Sequence, residues 1–225
     1  MASSTKSRLG SRGRPEETRA AILQAAIQEF AHKGLAGART DAIARVAHVN
    51  KALLYYYFKD KETLYGAALD HAFGQLSAHM LGVLDLDLPP DKKVRKYVGE
   101  YFDFVAGHPL NRDLVQREMT RAGHSSPHLQ RIAKRYFQPL FIRLSEVIRA
   151  GIGSGKFRQV DPVQFVPSMV ALVIFYFTSA PLMKTVTGVD PLLPERIAAR
   201  RAAVLDFITA ALFQDPAGEM QGESK

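Results

Sequence analysis

Apolar residues recur every three to four positions along almost the whole chain, and prolines and glycines divide this pattern into segments of helical length. A period near 3.6 is typical of amphipathic helices, whereas strands alternate apolar and polar side chains. No run of such alternation stands out between the breaks. The pattern therefore predicts an all-α protein. The expected helices are 16–33, 40–47, 51–58, 61–84, 91–106, 109–122, 127–150, 161–179 and 194–213.

The excess of positive charge lies near the N-terminus. The 225 residues carry a formal net charge of +8, and residues 1–61 hold eleven basic against five acidic side chains. Residues 1–15 contain four basic side chains and no acidic one. A short basic arm of this kind suits phosphates or a minor groove, although an ordinary solvated tail is the alternative. We expect a polyanionic partner, and we count Arg14 among its candidate contacts.

Two short predicted helices separated by a three-residue turn occupy residues 39–58. This arrangement describes a helix-turn-helix, whose second helix enters the major groove of DNA. Thr40 and Asn50 are of the residue types that cap helix N-termini, so we expect each to cap one of the two helices. In the first helix we expect Ile43, Val46 and Ala47 to point inward.

Three consecutive tyrosines follow Leu54 in the second of these helices. At about 100° per residue they spread over about 200° of the helix surface, so they cannot all lie in the core. Leu54 and Phe58, four residues apart, are better candidates for the inward face. Tyrosine hydroxyls and lysine ammonium groups commonly position a protein on the DNA backbone. The candidate phosphate-contacting side chains are Lys51, Tyr55, Tyr56, Tyr57, Lys59 and Lys61.

Three motifs follow one another in this part of the chain: FAHKG at 30–34, TDAIARVAHV at 40–49 and LYYYFKDKETL at 54–64. In order and spacing they resemble the DNA-binding domain of TetR-type transcriptional regulators. The total length and the helical remainder are similar to that family as well. The resemblance implies an N-terminal three-helix helix-turn-helix domain followed by a larger helical domain for ligand binding and dimerisation.

The resemblance also implies which side chains contact DNA. Residues at the start of the recognition helix would face base edges, and the tyrosines would contact phosphates or thymine methyl groups. His48 stands where most of the family has glycine, and histidine tolerates a positive φ better than most residues. Ala52 and Leu53 offer few hydrogen bonds for base readout, which gives Lys51 more weight. The predicted DNA contacts are Arg14, Arg39, Thr40, Asn50, Lys51, Ala52, Leu53, Tyr55, Tyr56, Tyr57 and Lys61.

By the same resemblance the chain divides into a basic disordered arm (1–15), the DNA-binding domain (16–61), an effector-binding and dimerisation domain (62–213) and a frayed tail (214–225). The last two long helices would form the dimer interface with the same pair of a second copy. A pocket for a small apolar or aromatic effector would be lined by aromatic, methionine and a few polar side chains, each of which could equally be core or solvated surface. The candidates are Tyr101, Phe104, His108, Arg112, Arg117, Tyr136, Phe137, Phe141, Phe175, Tyr176 and Met183.

Residues 165–183 form a stretch without any charge that is long enough to span a bilayer. Prolines and hydroxyl residues interrupt it, and no basic cluster flanks it closely. A helix that is apolar all round is equally suited to a protein core or a subunit interface. We therefore expect a buried helix and no membrane segment.

The absence of cysteine excludes disulfides, thiolate zinc sites and cysteine nucleophiles. No paired carboxylates, Ser/His/Asp set or cofactor motif stands out, so we expect no enzyme activity, no cofactor and no metal. The combined prediction is a cytoplasmic, homodimeric repressor that binds a pseudo-palindromic operator in double-stranded DNA and is released by a small effector. The alternatives are an architectural DNA-binding protein without an effector, and an activator of the same family.

Overall fold

The computed structural model describes residues 15–121 and 127–214, and helices account for nearly all of them. The predicted arm before Pro15, with Arg14, and the tail beyond residue 214 lie outside the described residues. The all-α prediction is confirmed. The helices are α1 (Pro15–Gly37), α2 (Thr40–Val46), α3 (Lys51–Tyr57), α4 (Lys61–Leu84), α5 (Pro90–Gly107), α6 (Pro109–Arg121), α7 (Pro127–Ile132), α8 (Gln138–Gly153), α9 (Pro162–Thr178), α10 (Ala180–Thr187) and α11 (Pro194–Leu212).

The single helix predicted for residues 127–150 is wrong, because a π-helical turn (Ala133–Phe137) separates α7 from α8. Pro139 lies in the first turn of α8. In a regular α-helix a proline ring clashes with the carbonyl group four residues earlier. A wider π-helical turn just before the proline avoids this clash.

The chain forms two compact units, and the described residues of the first are 15–75, 110–121 and 127–132. Its core lies between α1, the two short helices α2 and α3, and the first part of α4. One face of α1, which includes Ile22, Ala26 and Phe30, is buried, and α1 bends at Gly34, whose φ of 66° lies in the left-handed region. The largest buried apolar side chains of this unit are Ile22, Phe30, Ile43, Leu54, Leu64, Tyr65, Leu69 and Phe73.

The second compact unit contains residues 76–109 and 133–214. Helices α5, α8, α9 and α11 surround its apolar core, to which the end of α4 also contributes. Phe102 lies at the centre of the core at 1% exposure and packs against the ring of Phe177, with 5.3 Å between the ring centroids. Arg201 binds Asp103 through two hydrogen bonds of 2.7 and 2.8 Å at the surface of this unit.

The uncharged stretch at 165–183 is divided between α9 and α10, which meet at an angle of 63°. Helix α10 is an element that the sequence analysis did not predict. One face of α9 is buried, with Met169 at 1% and Val173 at 0% exposure, whereas Phe175 is 64% exposed. The stretch was expected to form a buried helix, in the core or in a subunit interface; the core buries one face of α9 and leaves the other face exposed.

Among the described residues, no single helix is both long enough and apolar enough to cross a membrane. Helices α9 and α10 reach that length and hydropathy only as a bent pair.

Candidate nucleic-acid interface

The turn between α2 and α3 has the conformation that the sequence predicted. His48 has a φ of 55°, a left-handed conformation that histidine tolerates better than most residues. The backbone N–H of Val49 donates to the carbonyl of Ala44 at 2.9 Å and closes the turn. The turn thus brings the start of α3 back against α2.

The two predicted caps have different outcomes. Asn50 caps α3 as expected, because its side-chain oxygen accepts a hydrogen bond from the N–H of Leu53 at 2.7 Å. The cap predicted for Thr40 is wrong: Arg39 holds the N-cap position of α2, without a side-chain hydrogen bond. The Thr40 hydroxyl instead lies 3.2 Å from the hydroxyl of Tyr55 on α3.

The inward faces of the two helices are largely as predicted. Leu54 and Phe58 are 0% and 2% exposed, and Ile43 is 0% exposed. Val46, by contrast, was expected to point inward and is 55% exposed. Helix α2 has only seven residues and buries one narrow stripe, which Ile43 and Ala44 already fill.

The outer face of α3 is uncovered. Tyr56 is 80% exposed and Tyr55 is 39% exposed, and Lys51 and Ala52 are exposed beside them. The ring of Tyr57 is half-buried and meets that of Tyr56 edge to face at 5.3 Å. Because Leu54 anchors the opposite side of this helix, α3 presents aromatic rings, hydroxyl groups and an ammonium group to a partner.

An ion pair that the sequence analysis missed links the same two helices. Lys51 Nζ lies 2.9 Å from Asp41 Oδ1 on the first turn of α2. The hydrogen bond from Lys51 lowers the pKa of the Asp41 carboxyl below its usual value. Pairs of this kind depend on the turn geometry, because ten residues separate the two side chains in the sequence.

Two more predicted DNA contacts lie next to this surface. Lys61 is half-buried, and its ammonium group donates to the carbonyls of Ala36 and Ala38 at 3.4 and 3.2 Å. The side chain of Arg39 is exposed, and its backbone N–H donates to Glu29 at 3.1 Å. Lys61 therefore stabilises the connection between α1 and α2 in addition to any contact with DNA.

Helix α6 carries the polar groups that hold α1 and α4 in the first unit. Arg117 donates to the carbonyls of Ala31 and His32 at 2.6 and 2.9 Å, close to the bend in α1. The carboxylate of Glu118 is fully buried, accepts a hydrogen bond from Tyr65 at 3.0 Å and pairs with Arg121. Burial, together with the neighbouring Glu118 carboxylate, raises the pKa of Tyr65.

A cleft of about 550 Å³ lies on the first unit between the end of α1, α4 and α6. Its basic side chains already hold partners inside the protein, since Lys33 pairs with Glu29 and Arg117 binds backbone carbonyls. The cleft therefore presents less free positive charge than its composition indicates.

The predicted effector residues are divided between the two units. Arg112 and Arg117 belong to the first unit, and the other nine belong to the second. Tyr101 is buried and stacks on Tyr97 at 6.5 Å, and Phe104 stacks on His108 at 4.1 Å. Tyr136, Phe137, Phe141 and Tyr176 are half-buried, whereas Phe175 and Met183 are exposed at 64% and 37%.

A tight turn between two short helices, with an uncovered second helix and a separate helical unit, defines the class of helix-turn-helix DNA-binding regulators. Residues 22–68 match the family described as bacterial regulatory proteins, tetR family. Residues 90–208 match the family described as tetracyclin repressor-like, C-terminal domain. The chain belongs to the TetR family of transcriptional regulators.

Individual relatives and solved structures are similar over most of the chain. The regulator RutR of Escherichia coli is 30% identical over 168 residues, which cover 75% of this chain and 77% of RutR. The transcriptional repressor NicS of Pseudomonas putida is 29% identical, covering 73% of this chain and 77% of NicS. The structure of regulator SCO4942 from Streptomyces coelicolor is similar with a TM-score of 0.65 and 26% identity, covering 86% of this chain and 97% of that one. The hemolysin II regulator HlyIIR, at 23% identity and a TM-score of 0.61, shares the fold; the match covers 84% of this chain and 98% of HlyIIR.

These similarities confirm the predicted class of function. The protein is a DNA-binding transcriptional regulator, and the prediction that it is not an enzyme agrees with the regulators to which it is related. None of the relatives named above supports the alternative of an architectural DNA-binding protein.

Proposed function

We propose that this regulator is a homodimeric repressor that binds a pseudo-palindromic operator and leaves it when a small effector binds. The observation that carries the proposal is the outer face of α3, where Lys51, Tyr55 and Tyr56 are exposed opposite the buried Leu54. A helix held in this way fits the major groove, whose width admits one α-helix. The relative NicS is named a transcriptional repressor, which supports the direction of regulation.

We assign different roles to the predicted DNA contacts. Lys51 would donate to base acceptors, while Ala52 and Leu53 would pack against thymine methyl groups. The tyrosine hydroxyls, Arg14, Arg39 and Lys61 would contact phosphates and fix the position of the protein on the duplex. Thr40 and Asn50 hold α3 in place through Tyr55 and the N–H of Leu53, and they would act on DNA mainly through that support.

The proposed dimer rests on the uncovered faces of α9 and α11. Phe175 on α9 and Phe207 on α11 are 64% and 58% exposed, which is unusual for rings of this size. Each lies on a face of small or apolar residues that would allow close helix packing. The exposed residues of these faces are Pro167, Ser168, Ala171 and Phe175 on α9, and Ala199, Ala203, Phe207 and Ala210 on α11.

We place the effector in the second unit, next to the aromatic side chains predicted to line its pocket. Ser145 lies on α8 four residues after Phe141, its hydroxyl is buried with the residue at 1% exposure, and that hydroxyl has no hydrogen-bond partner among the described residues. An unsatisfied buried hydroxyl is costly, and a polar atom of a ligand would relieve that cost. The effector would therefore be an apolar or aromatic molecule with at least one polar group. We place the regulator in the cytoplasm, where bacterial DNA lies.

A selection from a randomised pool of duplexes, followed by binding measurements at 50–200 mM salt, tests the DNA-binding proposal. The protein should recover one palindromic sequence and bind it orders of magnitude more tightly than a random duplex. Lys51→Ala should cost about 1–3 kcal/mol on the selected duplex and little on the random one. Lys59→Ala, the matched control on an exposed lysine, should weaken both duplexes alike. Equal losses for Lys51→Ala on the two duplexes would show that Lys51 does not read bases.

Thermal melting with a panel of small aromatic and apolar compounds tests the effector site. A true effector should raise the melting temperature and weaken the complex with the selected duplex, by linkage. Ser145→Ala should leave the melting temperature of the free protein unchanged or higher, and should reduce the shift caused by the effector. A marked fall in the stability of the free variant would mean that the hydroxyl is already satisfied.

A further inference from the structure

The ion pair between Asp41 and Lys51 lies where α3 begins and where the operator would be read. Both side chains remain half-exposed, at 60% for Asp41 and 50% for Lys51, although their charged atoms are 2.9 Å apart. A lysine at this position would otherwise be a flexible point charge on a four-carbon stem. The carboxylate of Asp41 instead holds the ammonium group beside the first turn of α2.

A second contact lies beside this pair and restrains the same flank of α3. Tyr55 is four residues after Lys51, so the two side chains share one side of the helix. Its hydroxyl lies 3.2 Å from that of Thr40, the neighbour of Asp41 in the sequence. Two adjacent residues of α2 thus hold two neighbouring side chains of α3. The ion pair that restrains Lys51 is one of two contacts between these helices.

The pairing changes what Lys51 can do on DNA. An ammonium group has three N–H donors, and Asp41 occupies one, so others remain for a base edge. The nearby negative charge also cancels most of the attraction that a free lysine exerts on phosphates, and it repels phosphates itself. Lys51 is therefore suited to donate a short hydrogen bond to one base acceptor. It is poorly suited to bind the phosphates that every DNA sequence offers.

We propose that Asp41 is a specificity-determining positioning residue, which holds Lys51 for a base acceptor and limits its contribution to binding at random sequences. The inference rests on the proposed function, in which α3 enters the major groove. Without the Asp41 carboxylate, Lys51 is free to neutralise a phosphate wherever the protein lands. Affinity for random DNA then rises more than affinity for the operator, and discrimination falls.

Four variants of the full chain test the inference: Asp41→Asn, Asp41→Glu, Lys51→Ala and the control Glu16→Gln. Glu16 is an exposed carboxylate on the first turn of α1, so its variant makes the same change of charge elsewhere in the unit. Each protein is measured on the duplex that the wild type selects and on a random duplex, and each is also used in its own selection. Thermal melting checks that every variant is folded.

One added phosphate contact should raise the affinity of Asp41→Asn for the random duplex about three- to ten-fold at 0.1 M salt and steepen its salt slope by about one unit. The selected duplex should gain less than about two-fold, because there the freed charge replaces a base contact. In the parallel selections, Asp41→Asn and Lys51→Ala should lose preference at the same base position. Asp41→Glu should retain most of the discrimination, and Glu16→Gln should change neither the ratio nor the selected sequence.

Two different results would overturn the inference, and they are distinguishable from a failure of the proposed function. If Asp41→Asn raises both affinities by the same factor, as Glu16→Gln would through charge alone, Asp41 has no part in specificity. If Asp41→Asn and Lys51→Ala lose preference at different positions, the ion pair does not act as a unit. A wild-type protein that selects no sequence would instead refute the proposed function, and the inference would fall with it.

Discussion

The two compact units are both helical, yet they are held together in different ways and leave different surfaces uncovered. In the first unit, α2 and α3 have seven residues each and are joined by polar contacts such as Asp41–Lys51. In the second unit, long helices surround an apolar core centred near Phe102. The first unit exposes Tyr56 and lysines, whereas the second exposes Phe175 and Phe207. Each unit therefore leaves uncovered the surface that suits its proposed partner, which is DNA for the first unit and a second copy of the chain for the second.

The largest expected effect concerns two phenylalanines of the second unit. Phe102→Ala should lower the free energy of unfolding by about 3–5 kcal/mol, because it removes a fully buried ring and leaves a cavity. Phe207→Ala removes an exposed ring and should leave the unfolding of the monomer nearly unchanged while weakening the dimer. Urea unfolding and sedimentation at several concentrations measure the two effects. A large loss of monomer stability from Phe207→Ala would contradict the assignment of Phe207 to the dimer interface and not to the core.

The next effect is a dependence on alkaline pH that both units share. Burial raises the pKa values of Tyr65, Tyr97 and Tyr101 above the ordinary value of 10.0, so the folded chain keeps these phenols neutral when the unfolded chain ionises them. The stabilisation is therefore complete below pH 10 and is lost as the pH rises further, by about 1.4 kcal/mol per pH unit for each phenol. Urea unfolding between pH 8 and 11 measures this slope. Absorbance of phenolate should show that these three tyrosines ionise only when the chain unfolds.

A smaller effect separates a buried tyrosine of the first unit from an exposed one. Tyr65→Phe removes the hydroxyl that donates to the buried carboxylate of Glu118, and it should cost about 1–3 kcal/mol of stability. Tyr56→Phe should leave stability unchanged and weaken DNA binding, because its hydroxyl belongs to the uncovered face of α3. Thermal unfolding and DNA binding, measured on both variants, test the pair. Similar losses of stability in the two variants would contradict the claim that Tyr65 supports the fold whereas Tyr56 contacts DNA.

The smallest expected effect concerns the start of α3. Asn50→Ala removes the side-chain cap from the N–H of Leu53 and should cost about 1 kcal/mol. Asn50→Asp keeps an acceptor at the same place and should restore the stability, so the pair of variants isolates the cap. Amide exchange at Leu53 reports the change locally. Unaltered exchange in Asn50→Ala would mean that the turn holds α3 without its cap.

Local patterns predicted much of the DNA-binding unit. The spacing of Leu54 and Phe58 identified the buried side of α3, and both are buried. Asn50 caps α3 as its residue type indicates, and His48 has the expected positive φ. These features depend on residues within one or two turns of each other. The features that could not be predicted from the sequence, such as the Asp41–Lys51 pair, depend on how one helix packs on another.

In the second unit, too, local patterns predicted the helices but not the features that depend on packing. Its helices were expected from their periodicity, but the π-helical turn before Pro139 and the separate helix α10 were not. Pro139 is a residue that interrupts helices, but the apolar repeat continues on both sides of it and favours a single helix. The candidate effector residues share aromatic or polar chemistry, yet the structure divides them between core and surface positions. Their roles depend on tertiary packing, which no local pattern contains.

Helix α4 has a consequence for the exchange of parts between regulators. It runs without a break from Lys61 to Leu84 and belongs to both compact units, and the first unit also takes α6 and α7 from later in the chain. A hybrid protein made by a single cut after residue 61 would therefore leave behind Tyr65, Glu118 and the other side chains that complete the DNA-binding core. Two segments, the chain up to the middle of α4 and the later helices α6 and α7, therefore have to be transplanted together.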